Sequence, residues 1–239
     1  VSMAVSTSDL GTASAARPAW WRRPPSLGLQ RAFAWAAVIT NGLIAVTGAT
    51  VRVTGSGLGC PTWPECHPGS LVPVSRSDLS GIHQAIEFGN RTLTSVVLIA
   101  SLGTFVLVWL ARPRRRSLVW VAAVLPAGVL FQAVWGGIIV LTGLAWWTVA
   151  PHLLISLLLL FVSIVVLVRL RETDDPSVAV VPRPLRVLTW ATVGVLIALC
   201  VAGTLVTAAG PHGGDEATPR LDLPVAQLAQ LPPPSPPHT

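Results

Sequence analysis

The residues of this 239-residue chain that could do chemistry fall in three places. Cys60 and Cys66 flank PTWPE, and His67 follows at once. Two thiols this close, beside a histidine, admit three chemistries. They can form a disulfide that stiffens a loop, exchange with a partner thiol, or join His67 on a metal. The spacing differs from the CxxC of thioredoxin-like centres. Further on, His83, Glu87, Asn90 and Thr94 recur at i, i+4, i+7 and i+11, which puts them on one helix face. Arg91 is positioned to pair with Glu87 at i+4. The third place is His152, alone in the run TVAPHLLISLLLLF. Such a histidine is either a hydrogen-bonded core residue or a ligand. Imidazole suits haem iron, and helix bundles build haem sites from facing side chains.

The elements that must position these residues are membrane spans. Hydrophobic residues make up 52% of the chain and charged residues 11%, against about 25% charged in a soluble domain. Five apolar stretches of roughly the ~20 residues a hydrocarbon core requires are expected over 32–51, 82–110, 118–141, 148–168 and 187–208. The fold class is therefore all-α, a polytopic transmembrane helix bundle. Asn41 lies mid-span and should face another helix. Pro126 and Pro151 fall within spans, the latter expected in a first turn, where proline is tolerated. Ionisable groups as close to hydrocarbon as His83, Glu87 and Arg91 belong in a polar pocket at the end of a bundle. The alternative is that the second helix begins later and leaves them in a solvated loop.

Every basic residue is arginine. The arginines cluster in the N-terminal segment, at 112–116 and at 169–186, while the 52–81 and 141–147 loops are poor in them. The positive-inside tendency then makes the N-terminus cytoplasmic and the 52–81 loop external, in a multi-pass plasma-membrane protein. This distribution, between apolar spans, fits membrane topology and not a nucleic-acid-binding stripe. Trp146 and Trp147 suit the outer interface and Trp109 the inner one. Residues 1–29 read as a disordered cytoplasmic tail, 171–186 as a cytoplasmic loop and 209–239 as a proline-rich external tail. The GSGLG run at 55–59 and the Gly136–Gly137 pair lack the GK[ST] of a phosphate cradle. The pair is expected to allow close helix contact. Cys200 reads as a small apolar side chain in the fifth span.

TGSGLGCPTWPEC at 54–66, the E-x-x-x-R pair of Glu87 and Arg91, and QAVWGGIIVLTGLAWWTVAPH at 132–152 together resemble the heme A synthase family in its actinobacterial form. The likeness runs from about residue 30 to 225. It implies an enzyme of eight helices in two similar four-helix halves. Such an enzyme oxidises a methyl group of haem O to the formyl group of haem A, for cytochrome c oxidase. The N-terminal half would hold the substrate haem between histidines of its second and fourth helices, and the C-terminal half an electron-carrying haem b. On this resemblance Glu87 is the catalytic acidic group, with Arg91, Asn90 and Thr94 in the haem pocket. His152 is the fourth-helix iron ligand, and Cys60 and Cys66 form a disulfide. The partners implied are haem O, haem O synthase, oxidase assembly factors and lipid, with self-association as a way to complete the second half.

Two departures stand out. The family's E-x-x-H-R histidine is Asn90 here, a poor iron ligand. His83 is the substitute on the same face, seven residues away, or about 10.5 Å along the axis. The chain also runs into PPPSPPHT where the family continues into a histidine-bearing sixth helix, and His238 lies in that proline-rich run. The expectation is a truncated or frame-shifted copy with four helices of the first half, a fifth of an incomplete second half, and an incomplete haem b site. Two other functions remain open: a non-catalytic haem-binding or haem-transfer protein, and a membrane thiol oxidoreductase using Cys60 and Cys66.

Overall fold

The computed structural model describes residues 24–74, 80–172, 181–210 and 220–221. The expectations for residues 1–23, for 173–180 of the 171–186 loop and for nearly all of the tail after 210, His238 included, lie outside them. Five helices carry the fold: α1 (Leu27–Val53), α2 (Gly81–Leu110), α3 (Arg116–Leu141), α4 (Trp146–Arg169) and α5 (Arg183–Ala209). All five are long and apolar enough to cross a membrane. The chain is an all-helical, multi-pass membrane protein.

The helix ends reach past the apolar stretches because local caps set them. Ser26 Oγ accepts the Leu29 N–H at 3.2 Å and starts α1 before its apolar run. Residues 27–29 are thus helix and not tail. At the other end α1 continues through Arg52 and Val53, so Arg52 belongs to a helix and not to the loop. Gly55, at φ 65, then turns the chain. Pro184 lies within the first two positions of α5, where its missing N–H costs nothing. Pro151 does not fall in a first turn, because α4 begins at Trp146. It lies one turn further in and cannot donate to the Trp147 carbonyl.

Helices α1 to α4 form a bundle in which α1 packs on α2, α2 on α3, α3 on α4, and α4 back on α1. Helices α2 and α4 therefore face each other across the diagonal. Helix α5 packs on α4 and leaves most of its apolar surface exposed. Two buried apolar clusters fill the bundle. One, at the end away from the 54–74 loop, joins Ala34, Val108, Leu118, Ala122, Leu125, Val166, Leu167 and Leu170. The other, at mid-height, joins Val97, Val129 and Leu159. Asn41 is buried among the helices, its Nδ2 donating to the Ala37 carbonyl at 2.8 Å. Toward the loop end, α2 and α3 bury the polar side chains Gln84, Glu87 and Gln132 beside the apolar Ile139.

Candidate functional site at the loop end of the bundle

The face expected on the second helix exists. Helix α2 starts at Gly81, so His83, Glu87, Asn90 and Thr94 are all helical, and the same face continues through the buried Val97, Ser101 and Val108. Glu87 is only 5% exposed. The solvated-loop alternative is thereby excluded.

Burying a carboxylate demands partners, and the 54–74 loop supplies them. Glu87 Oε2 accepts the Cys60 N–H at 2.8 Å. Glu87 Oε1 accepts from Arg91 Nε at 3.0 Å and Nη2 at 2.6 Å. The rest of the guanidinium grips the loop. Arg91 Nη1 donates to the Thr62 and Glu65 carbonyls at 2.8 and 3.3 Å, and Nη2 to the Cys60 carbonyl. The loop is closed on itself by a Cys60–Cys66 disulfide with both cysteines buried. Neither sulfur is then a thiolate available to a metal, and His67 turns elsewhere: its Nε2 lies 3.0 Å from Gln84 Oε1. No group of three His, Cys, Asp or Glu side chains suited to a bare metal ion occurs among the described residues.

Close approaches seat the loop. A Cβ on Gly59 would lie 2.5 Å from the His83 carbonyl oxygen, so only glycine lets the loop rest on the first turn of α2. A Cβ on Gly137 would lie 2.6 Å from the Trp63 ring. The expectation that both glycines of the pair serve helix contact is corrected here: Gly137 receives the loop's indole. Gly136 does face a helix, with His152 Cε1 3.8 Å from the position of a Cβ.

These contacts define a lock whose largest single contributor is Arg91. Removing it leaves Glu87 buried without its counter-charge and three loop carbonyls without a donor. Arg91→Leu is expected to lower stability by roughly 3 kcal/mol and to expose the loop to cleavage, read by limited proteolysis of the detergent-solubilised chain. Arg91→Lys should be intermediate, since an ammonium cannot serve the carboxylate and the carbonyls in the same fork geometry.

His152 lies on the face of α4 that carries the buried Leu159, Ser163 and Val166. Its Nδ1 is buried with no hydrogen-bond partner. Gln132 holds its backbone, donating from Nε2 to the His152 carbonyl at 2.8 Å and to Ser156 Oγ at 2.6 Å. Trp135 Nε1 donates to the Thr148 carbonyl at 2.8 Å. The α3–α4 pair is thus bolted at the height of His152, while the imidazole stays uncommitted.

Register fixes the relative heights. Gly42 faces Leu160, where a Cβ would lie 3.9 Å from Leu160 Cδ1, so Thr50 of α1 is level with His152 of the antiparallel α4. Thr47 Oγ1 donates to Asn90 Oδ1 at 2.7 Å, so Thr50 is also level with Glu87 of α2. Glu87 and His152 therefore lie within about one helical turn of each other in height, on diagonal helices. His83 lies about 6 Å from that height toward the loop end, and Asn90 about 4.5 Å the other way. Asn90 is committed to Thr47. His83 is half-buried, and its ring makes no hydrogen bond among the described residues. Thr94 Oγ1 donates to the Asn90 carbonyl at 3.3 Å and adds a polar wall one turn deeper. Three residues join the site unforeseen: Gln132 and Trp63, through contacts distant in sequence, and Arg52, through the extension of α1 past Val51.

A multi-pass helical bundle with one polar end, a disulfide-closed loop over it and an uncommitted histidine inside defines the class: a multi-pass membrane protein with a candidate site inside the bundle. The family model described as cytochrome oxidase assembly protein (COX15-CtaA) matches residues 31–212, and the chain belongs to that family. The chain is similar to the heme A synthase of Geobacillus thermodenitrificans, 32% identical over 158 residues that cover 64% of this chain and 46% of that protein. It is similar to the heme A synthase of Lysinibacillus sphaericus, 33% identical over 170 residues, 69% of this chain and 52% of the relative. A protoheme IX farnesyltransferase of Thermus thermophilus is 33% identical over 98 residues, 41% of this chain and 14% of that protein. The chain spans about half the length of the heme A synthases it matches. No solved structure matches it.

Proposed function

We propose that residues 30–170 form the substrate-haem half of a heme A synthase, which oxidises a methyl group of haem O to the formyl group of haem A for cytochrome c oxidase. The observation that carries this reading is that Glu87 and His152 lie within about a helical turn of one height on diagonal helices, between the apolar core and the loop. The residues fit a haem. No described residue hydrogen-bonds the His152 ring, and its Nδ1 is buried, so the imidazole is free to take a partner outside the protein chain. Gly136 keeps the space beside it free of a side chain. His152 is the iron ligand from α4, and His83, with no internal partner, is the ligand from α2 in place of Asn90.

Haem O is the substrate. Its methyl carbon is oxidised, an electron acceptor takes the electrons, and water supplies the oxygen, its protons leaving with those of the methyl group. Glu87 stabilises positive charge developing on that carbon or orients the water. Arg91 and the Cys60 N–H hold the carboxylate in place, so no reorganisation is needed at the moment of reaction. The loop and its disulfide lie on the extracytoplasmic side of the plasma membrane and the N-terminus on the cytoplasmic side. The arginine distribution and a formed disulfide both support this orientation. Similarity to a protein named for farnesylating protohaem fits a place directly after haem O is made.

The test is to produce the chain in cells that make haem O but lack any other heme A synthase, then extract and chromatograph the haems. Haem A is expected. Bound haem O without haem A favours the haem-transfer reading, and a haem-free chain whose function depends on Cys66 favours the thiol oxidoreductase.

A further inference from the structure

Two arginines sit at the loop end of α1 and α2. Arg91 is saturated by Glu87 and three loop carbonyls. Arg52 is not. Its side chain makes no hydrogen bond or ion pair among the described residues, and its Nε is buried without a partner. Helix periodicity puts Arg52 on the face of α1 that carries the buried Gln30, Ala34, Ala37 and Asn41, which is the face turned to the bundle. Counting from the Gly42–Leu160 contact, Arg52 is level with residue 150 of α4, half a turn from His152. Counting from the Thr47–Asn90 bond, it is level with residue 85 of α2, between His83 and Glu87.

A guanidinium that is half-buried, unpaired and turned inward is costly unless an anion completes it. The acidic side chain at this height, Glu87, is already taken by Arg91 and the Cys60 N–H. Among the described residues no other acidic side chain is level with Arg52, so a ligand carboxylate is the anion that would complete it. We propose that Arg52 binds a propionate carboxylate of the porphyrin and so sets which edge of the macrocycle faces the loop end. This rests on the haem-pocket reading above. It adds an orienting residue, since a ring fixed by iron alone is free to rotate about its axial ligands, and a carboxylate held by Arg52 removes that freedom.

The probe pair is iron protoporphyrin IX and its dimethyl ester, in which both carboxylates are masked. Each is titrated into the detergent-solubilised full chain and followed by the Soret band. The wild type should bind the free acid roughly tenfold or more tightly than the ester, in line with a charge-assisted hydrogen bond. Arg52→Gln should bind both with the ester's affinity, with an unchanged Soret position because His152 still reaches iron. Arg52→Lys should recover part of the preference. If Arg52→Gln keeps the wild-type preference, or weakens acid and ester equally, Arg52 is not a propionate ligand although the pocket stands. If the wild type binds neither compound, the haem-pocket reading itself fails, and with it this proposal.

Discussion

Glu87→Gln is expected to lower haem A formation by at least about 100-fold, the loss seen when a preorganised electrostatic group is removed from a reacting centre, while haem O stays bound. The substitution is chosen because the fold tolerates it. A glutamine amide oxygen can still accept the Cys60 N–H that Glu87 Oε2 accepts now. Arg91 keeps its three loop carbonyls, those of Cys60, Thr62 and Glu65. What disappears is the negative charge. Glu87→Ala would mix that loss with an unanchored loop, so a null result there would say less. Extraction and chromatography of the haems from cells carrying each variant give the readout. Wild-type levels of haem A with Glu87→Gln would remove Glu87 from the mechanism and leave it as an anchor for the loop.

His152→Ala carries the second large effect. Losing an iron ligand should weaken haem retention by at least about 100-fold, beyond the 10–100-fold typical of groups that only support a ligand. The backbone contacts at this position survive the change, because Gln132 and Ser156 bond the His152 carbonyl and not its ring. The vacated space lies next to Gly136, where no side chain is present to collapse into it. Added imidazole should therefore enter and restore the Soret band in part. A merely structural histidine would give no such rescue. If His152→Ala retains haem with an unaltered spectrum, the fourth-helix ligand lies elsewhere.

Much of this architecture was legible in the residues alone, for identifiable reasons. Long apolar runs must be helices in a membrane, because no other backbone satisfies its own hydrogen bonds there. The Glu87–Arg91 pair follows from i, i+4 spacing and forms as an ion pair at 2.6 Å. Asn41 is buried because lipid cannot solvate it. Helix ends were less legible, since caps such as Ser26 act outside the apolar pattern. Arg52 looked like a loop residue for that reason, and only the helix running past Val51 turns it toward the bundle.

The loop was the least legible part. Its place is set by contacts between residues far apart in sequence: Arg91 with the Thr62 carbonyl, Gly59 beneath the His83 carbonyl, Trp63 against Gly137. Periodicity carries no information on such contacts. The E-x-x-x-R spacing showed that Glu87 and Arg91 meet. It did not show that the same arginine also fastens a disulfide-closed loop over the site. Nor did spacing alone show that Asn90 is engaged within the bundle; the Thr47–Asn90 hydrogen bond commits it to α1.

The central claim is that the loop end of the bundle holds a haem between α2 and α4. The most direct measurement is the absorbance spectrum of the chain purified from cells that make haem O, together with the identity of the extracted pigment. The account predicts a Soret band with haem O or haem A in the extract, and its loss in His152→Ala. A wild-type chain that folds, forms the Cys60–Cys66 disulfide and carries no haem would contradict it.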